Sequence, residues 1–104
     1  MFGMFKTLFS QNGSENLAEI INNNAFLVDV RSPMEFNGAK VKGSINIPLD
    51  QIQNHVAKFK GKSNIVVFCR SGARSSQAKS ILERNGIENV TNGGGYQTVQ
   101  SLLK

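Results

Sequence analysis

One stretch of the chain reads Ile65-Val66-Val67-Phe68-Cys69-Arg70-Ser71-Gly72-Ala73-Arg74-Ser75. Its first four residues form a continuous apolar run, which is typical of a strand buried on both faces. Beyond it, apolar side chains recur at helical spacing and a glycine follows, at Ala78, Ile81, Leu82 and Gly86. This pattern predicts an amphipathic helix that ends at the glycine. The stretch is therefore expected to form a strand, a turn and a helix, with a cysteine at the junction.

The position of Cys69 predicts a reactive thiol. Free backbone N–H groups at the start of a helix lower the pKa of a neighbouring thiol, because they stabilise its thiolate. The same groups can hold the oxygens of an anion. A lone cysteine is otherwise a small buried hydrophobic residue, but placing Arg70 and Arg74 around a cysteine in an apolar core would cost desolvation energy. We therefore expect Cys69 to be an accessible nucleophile.

Composition narrows the chemistry further. The chain has 104 residues, enough for a single domain, with one cysteine and one histidine. These counts exclude an intramolecular disulfide and remove the usual ligands of a metal cluster or zinc site, so we expect neither a metal nor a cofactor. The histidine, His55, lies on a polar helix face, which argues against a cysteine–histidine protease dyad. The lack of disulfide potential favours a cytoplasmic location.

The net charge of +5 at pH 7 indicates anionic partners. Because the lysines are scattered and no aromatic residues are interleaved with them, we expect small anions rather than nucleic acid. No segment is apolar over the length that a bilayer requires, and membrane contact is not expected. We predict that residues 1–13 form an apolar flap packed on a domain of residues 14–104; a membrane-touching or self-associating helix is the alternative.

Strand and helix patterns alternate along the rest of the chain. Strands are predicted at Ala25–Val30, Ile45–Ile47, Ile65–Phe68 and Glu88–Thr91. Further helices are predicted from Ser14, with one turn at Met34-Glu35-Phe36, and by the apolar sets Leu49, Ile52, Val56, Phe59 and Val99, Leu102, Leu103. This alternation predicts an α/β fold, a small and mainly parallel sheet with helices on both faces. Ligands bind such sheets beyond the carboxyl ends of the strands, where Cys69 and Asp29-Val30-Arg31 both lie.

Several short motifs follow one another in this chain: Asp29-Val30-Arg31, Glu35-Phe36, Gly43-Ser44-Ile45-Asn46-Ile47-Pro48, Cys69-Arg70-Ser71-Gly72-Ala73-Arg74-Ser75 and Gly94-Gly95. In this order and at these spacings, the chain resembles the single-domain rhodaneses, a family of sulfurtransferases, from about Leu17 to its C-terminus. The resemblance implies that Cys69 takes a sulfane sulfur from a donor such as thiosulfate, forming a persulfide. The persulfide then passes the sulfur to a thiophilic acceptor, which is cyanide in vitro and a thiol or a protein in the cell.

The resemblance also implies roles for the residues near the cysteine. The N–H groups of the loop would stabilise the persulfide charge, and the substrate-binding residues would be Arg70, Ser71, Gly72, Ala73, Arg74 and Ser75. Both arginines would bind a small anionic donor, a solvated rim being their alternative role. Asp29 and Arg31 would be supporting residues, a buried or half-buried ion pair that organises the loops, with Arg31 also adding to the field at the anion. Glu35 would cap or pair locally.

Two other functions compete with turnover of a small donor. A sulfur-relay or binding module would deliver the Cys69 persulfide to a protein partner. A phosphatase or arsenate-type reductase is the more distant alternative, because related phosphatases place one more residue between cysteine and arginine, so that Ser75 stands where their arginine would be. The chain also departs from the rhodanese pattern: Gly38-Ala39-Lys40-Val41 lacks a histidine common in the family, and Tyr96 stands where tryptophan is common.

Overall fold

A computed structural model describes the backbone of residues 13–104 and the side chains of residues 17–104. Helices and strands alternate along the chain. The strands are β1 (Phe26–Asp29), β2 (Ile45–Asn46), β3 (Ile65–Cys69) and β4 (Val90–Gly95). The α-helices are α1 (Gly13–Ile21), α2 (Pro33–Gly38), α3 (Ala73–Arg84) and α4 (Tyr96–Leu102).

Two predictions concern the N-terminus and the membrane. The apolar flap predicted for residues 1–13 lies outside the described residues, except that Gly13 is the first residue of α1. Within residues 13–104, no helix is both long enough and apolar enough to cross a membrane.

The four strands form one parallel sheet in the order β2-β1-β3-β4. Strand β3 lies in the interior of the sheet, and all five of its residues are buried. Buried apolar residues form two separate clusters, one including Val28, Val67, Ile52 and Leu82 and the other including Leu27, Val66, Phe68 and Val99. Because neighbouring residues of a strand point to opposite faces, each face of the sheet packs against its own helices. The predicted α/β fold with helices on both faces is confirmed.

The segment after β2 is not the single α-helix that the sequence predicts. It forms two 3₁₀-helices, Leu49–Gln51 and Gln53–Phe59, and His55 has non-helical angles of φ −122° and ψ 20°. The His55 ring nitrogen Nδ1 contacts the Gln51 carbonyl oxygen at 2.9 Å, while the His55 backbone N–H donates to the Ile52 carbonyl. The ring therefore takes the acceptor that an α-helix would offer to the backbone N–H of the same residue.

Strand β4 is longer than the sequence predicts. A short strand is expected at Glu88–Thr91 with a glycine turn after it, whereas the strand includes the three glycines and ends at Gly95. Gly95 lies opposite Cys69 of β3, and the register between the two strands shifts between Val67 and Cys69. A Cβ atom on Gly95 would lie 2.7 Å from the Arg70 carbonyl oxygen. The absence of a side chain therefore lets β4 pass close to the loop that follows the cysteine.

Candidate active site

Cys69 is the last residue of β3, at the carboxyl end of the sheet, and α3 begins at Ala73. The loop between them turns through Gly72, which has a positive φ of 102°. Glycine adopts this left-handed conformation at little cost. The Gly72 N–H donates to the sulfur, with the nitrogen 3.0 Å from Cys69 Sγ. The strand, turn and helix that the sequence predicts are therefore present, and the turn supplies a hydrogen-bond donor to the thiol.

Ser75, in the first turn of α3, is a second polar neighbour of the sulfur. Its side chain is fully buried, and its Oγ lies 3.5 Å from Cys69 Sγ. The same hydroxyl lies within hydrogen-bond distance of two oxygens, the Gly72 carbonyl at 3.1 Å and Asn92 Oδ1 at 2.7 Å. A hydroxyl has one hydrogen and so donates to one of these neighbours at a time. When the thiol loses its proton, the Ser75 hydroxyl can rotate and donate to the sulfur instead of to an oxygen.

The surroundings lower the pKa of the Cys69 thiol to about 7. Burial is the largest influence and by itself raises this pKa, because it disfavours the charged thiolate. Hydrogen bonds outweigh it, since the Ser75 hydroxyl and the backbone N–H groups of Ser75, Ser71 and Gly72 all favour the thiolate. A substantial fraction of the thiol is therefore ionised at neutral pH.

Cys69 is more buried than the sequence predicts. The residue is 1% exposed and packs in the apolar cluster that includes Val67 and Ala78. The expectation of an accessible cysteine is wrong. Burying Cys69 does not require burying the charged side chains near it in sequence, because Arg70 is exposed and Arg74 is half-buried. The loop folds over the sulfur with its N–H groups, so the cysteine is buried without burying either guanidinium.

We expect the rate at which iodoacetamide alkylates Cys69 to rise with a midpoint near pH 7, the pKa of the thiol. The thiolate is the reacting form, so the rate falls about tenfold for each pH unit well below that midpoint. Restricted access of the reagent to the buried sulfur lowers the rate at every pH and does not move the midpoint. The measurement is the rate constant from about pH 5 to about pH 10. A midpoint near about 8.5, the value of a free thiol, would contradict an activating loop.

Replacing Ser75 by alanine is expected to raise that midpoint toward the free-thiol value. The change removes a hydroxyl that favours the thiolate and leaves the burial that opposes it. Ser76→Ala is the matched control, because Ser76 is the exposed neighbour of Ser75. The same pH-dependent alkylation compares the two variants. If both have the midpoint of the unaltered protein, the Ser75 hydroxyl does not act on the sulfur.

Arg74 has a partner that the sequence does not indicate. Its Nη1 lies 2.7 Å from Glu35 Oε1 and its Nη2 lies 3.0 Å from Oε2, which makes a bidentate ion pair between α3 and α2. The Arg74 guanidinium, followed by hydrogen bonds from Ser32, lowers the pKa of Glu35 to about 2, so the carboxylate is charged at neutral pH. Arg70, by contrast, makes no ion pair within residues 17–104.

Glu35 is also fixed from its own helix. Ser32 and Glu35 form a capping box at the start of α2, in which the Glu35 N–H donates to Ser32 Oγ and the Ser32 N–H donates to Glu35 Oε1, both at 3.2 Å. Pro33 occupies the first turn, where its fixed φ suits a helix start. Helix α2 is consequently longer than the single turn that the sequence predicts. Glu35 thus has the local cap expected from the sequence and the long-range pair with Arg74.

Asp29 and Arg31 form a buried ion pair at the end of β1. Their side chains are 0% and 3% exposed, and Arg31 Nη2 lies 2.6 Å from Asp29 Oδ2. Arg31 Nη2 also donates to the Ala39 carbonyl at 2.6 Å, and the guanidinium carbon lies 4.0 Å from the centre of the Tyr96 ring. The pair therefore joins β1 to the segment after α2 and to the start of α4. A contribution of Arg31 to an anion field stays a prediction.

Sequence reasoning does not single out Asn92, which contacts the loop directly. Its Nδ2 donates to the Gly72 carbonyl at 3.1 Å, and its Oδ1 accepts from the Gly94 N–H at 2.9 Å and from the Ser75 hydroxyl. Asn92 therefore joins β4 to the loop and to α3. An amide beside three glycines, at the carboxyl end of a predicted strand, is the sequence signal that indicates such a role.

The other parts of the predicted site lie at the surface. Ser71, in the loop, and Ala73, the first residue of α3, are both exposed. Where the family histidine is missing, Lys40 is exposed and Ala39 contributes its carbonyl to Arg31. In the part of the chain that the structure describes, no group of three or more His, Cys, Asp or Glu side chains could hold a metal ion. At the loop itself, the structure places one thiol beside the Gly72 N–H and the Ser75 hydroxyl.

Known proteins share this sequence pattern. A family model described as a rhodanese-like domain matches residues 14–101. The thiosulfate sulfurtransferase PspE of Escherichia coli (strain K12) is 36% identical over 74 residues, which cover 69% of this chain and 71% of that protein. A sulfurtransferase of Allochromatium vinosum is 30% identical over 89 residues, which cover 86% of this chain and 81% of that protein. Other relatives are longer, and the matches cover 59% of one and 58% of another.

The fold is shared as well. A solved structure described as a rhodanese with anions from E. coli is 36% identical, with a TM-score of 0.65 over 71% of this chain and 89% of that one. The match in fold and the match in sequence therefore agree. The resemblance indicated by the motifs is confirmed, and the chain belongs to the rhodanese-like domain family of sulfurtransferases.

Proposed function

We propose that this protein is an enzyme of the thiosulfate sulfurtransferase type, which carries a sulfane sulfur as a persulfide on Cys69. The observation that carries the proposal is the hydrogen bond from the Gly72 N–H to Cys69 Sγ, at 3.0 Å. The terminal sulfur of a persulfide is negatively charged, so donors that favour the thiolate also favour the persulfide. The lowered pKa of the thiol supports its role as the nucleophile.

The chemistry consists of two exchanges at sulfur. In the first, the Cys69 thiolate attacks the outer sulfur of thiosulfate, a new S–S bond forms, the S–S bond of thiosulfate breaks, and sulfite leaves with the electron pair. In the second, cyanide or a thiolate attacks the terminal sulfur of the persulfide, and the electron pair of the broken S–S bond returns to Cys69 Sγ. Both steps conserve charge, so no proton or oxidant is needed.

The loop favours sulfur transfer over phosphoryl transfer. Four residues separate Cys69 from Arg74, which makes the loop one residue tighter than in the related phosphatases. Ser75, in the position of the phosphatase arginine, is buried and hydrogen-bonded to the loop itself. This position therefore offers a hydroxyl instead of a guanidinium to a tetrahedral anion. Phosphatase and arsenate-type reductase activities are accordingly the weaker proposals.

A sulfur-relay module is the second candidate, favoured by the ion pair between Arg74 and Glu35. The pair neutralises the charge of one of the two arginines expected to attract a small anionic donor. A weaker attraction for small anions favours a protein as the donor or acceptor. Steady-state turnover of thiosulfate with cyanide distinguishes the candidates. An enzyme cycles many times, whereas a relay module forms the persulfide and cycles slowly without its protein partner.

Mass spectrometry of the intact, reduced protein tests the persulfide. After incubation with thiosulfate we expect a gain of one sulfur atom, which is lost when cyanide is added. Protein alkylated beforehand is the control, because Cys69 is the sole thiol of the chain. No gain with thiosulfate or with a small-molecule persulfide would contradict the proposal.

We place this chemistry in a reducing, cytoplasmic compartment. Cys69 must return to a free thiolate in every cycle, and a thiolate is the form that oxidants attack. The chain has no second cysteine that could form a reversible disulfide with an oxidised Cys69 and so prevent further oxidation. A strongly oxidising compartment would therefore inactivate the enzyme.

A further inference from the structure

The ion pair between Glu35 and Arg74 lies beside the loop that would bind the sulfur donor. The pKa of Arg74 is raised chiefly by its hydrogen bond to Glu35, is lowered by burial, and is raised further by the charge of Cys69. The guanidinium is therefore within electrostatic reach of the sulfur. Its two terminal nitrogens nevertheless face the two oxygens of the carboxylate. An incoming anion therefore cannot bind both of these nitrogens unless it displaces the Glu35 carboxylate.

The carboxylate is held in place even without Arg74. Glu35 Oε1 also accepts from the Ser32 N–H at 3.2 Å and from Ser32 Oγ at 3.0 Å, within the capping box of α2. Its lowered pKa of about 2 keeps it charged throughout the neutral range. An anion that recruits Arg74 must therefore compete with a fixed negative charge.

We propose that Glu35 is a specificity-determining residue, which by holding Arg74 disfavours dianionic sulfur donors such as thiosulfate relative to donors with one negative charge. The proposal rests on the proposed sulfurtransferase function and adds which donor the site prefers. With Arg74 paired, the loop N–H groups and the exposed Arg70 remain to attract the donor. Because Coulomb energy is proportional to the product of the charges, a dianion is affected about twice as strongly as a monoanion.

Glu35→Gln tests this role, because glutamine keeps an acceptor oxygen for the capping box and removes the charge. The two donors are thiosulfate and methanethiosulfonate. Each gives up its outer sulfur to the Cys69 thiolate, with sulfite leaving from the first and methanesulfinate from the second, and the second carries one negative charge less. We expect the KM of thiosulfate to fall about three- to tenfold. The KM of methanethiosulfonate falls by a smaller factor, and kcat stays within about twofold for both.

Glu83→Gln is the matched control, since it changes the net charge equally but lies near the far end of α3, where Glu83 pairs with Lys79 at 3.9 Å. It should leave the ratio of the two KM values unchanged. Arg74→Gln is a second variant, which leaves the Glu35 charge unpaired and should raise the KM of thiosulfate more than that of methanethiosulfonate. If Glu35→Gln does not fold, the two KM values of Arg74→Gln test the role of Glu35.

The two proposals fail in different ways. The role of Glu35 is overturned if the unaltered protein forms a persulfide but Glu35→Gln leaves the ratio of KM values unchanged or raises the KM of thiosulfate. It is also overturned if Arg74→Gln fails to raise the KM of thiosulfate relative to that of methanethiosulfonate, whether or not Glu35→Gln folds. The proposed function itself is overturned if the unaltered protein forms no persulfide with either donor.

Discussion

Cys69→Ser is expected to abolish sulfur transfer, with turnover falling at least about a thousandfold, to the background rate. A serine hydroxyl is not ionised at neutral pH and is a far weaker nucleophile than a thiolate. The chain has no second cysteine that could take over. The measurement is the formation of thiocyanate from thiosulfate and cyanide, together with the intact mass, which should show no added sulfur.

The same substitution is expected to leave the fold intact. The serine hydroxyl can still accept the Gly72 N–H that bonds to the sulfur, so the free energy of unfolding should change by about 1 kcal/mol or less. Ser80→Ala, at an exposed position of α3, is the control and should keep full turnover. If turnover survived in folded Cys69→Ser, sulfur would be moving without a persulfide on this residue.

The strand, loop and helix around Cys69 are predictable because their signals are local. An apolar run, a glycine at a turn and a helical spacing of apolar residues each act over a few positions. The same signals, repeated along the chain, predict the parallel sheet and its two helical layers. The observed bounds of these elements differ from the predicted ones where one side chain or one close backbone contact determines the local conformation. Examples are His55 in the 3₁₀ segment and Gly95 in β4.

The contacts that tune the site are not predictable in this way. Arg74 and Glu35 are 39 positions apart, and Asn92 is 17 positions from Ser75. Such pairs form only because the sheet brings the ends of different strands and helices to one edge. No local pattern indicates which of several polar residues will face each other there.

The burial of Cys69 illustrates a different limit. A charged residue next to a cysteine in the sequence indicates that the cysteine is exposed only if the two side chains lie in the same environment. At the end of a strand, a residue can point into the core while the next residue enters a solvent-exposed loop. Cys69 and Arg70 differ in this way. The thiol consequently gains its reactivity from hydrogen bonds inside the loop rather than from exposure.

Asp29→Asn is expected to lower the free energy of unfolding by about 3–5 kcal/mol. Arg31 Nε and Nη2 donate to the carboxylate oxygens of Asp29 at 3.0 Å or less, and the Arg31 backbone N–H donates to Oδ1 at 2.9 Å. Asparagine keeps one acceptor oxygen, carries no charge and turns an NH₂ group toward the guanidinium. The guanidinium, only 3% exposed, would then be a buried charge without its counter-charge.

Denaturant unfolding of Asp29→Asn measures this loss, and Asp50→Asn is the control with the same chemical change. Asp50 is exposed in the 3₁₀ segment, so its substitution should cost no more than about 0.5 kcal/mol. The pair reaches the Ala39 carbonyl and the Tyr96 ring, so the variant should also loosen the segments after α2 and at the start of α4, which hydrogen exchange would detect. A loss below about 1 kcal/mol would mean that Arg31 finds solvent or another acceptor when Asp29 is neutral. The pair would then be dispensable for holding these segments around the cysteine loop.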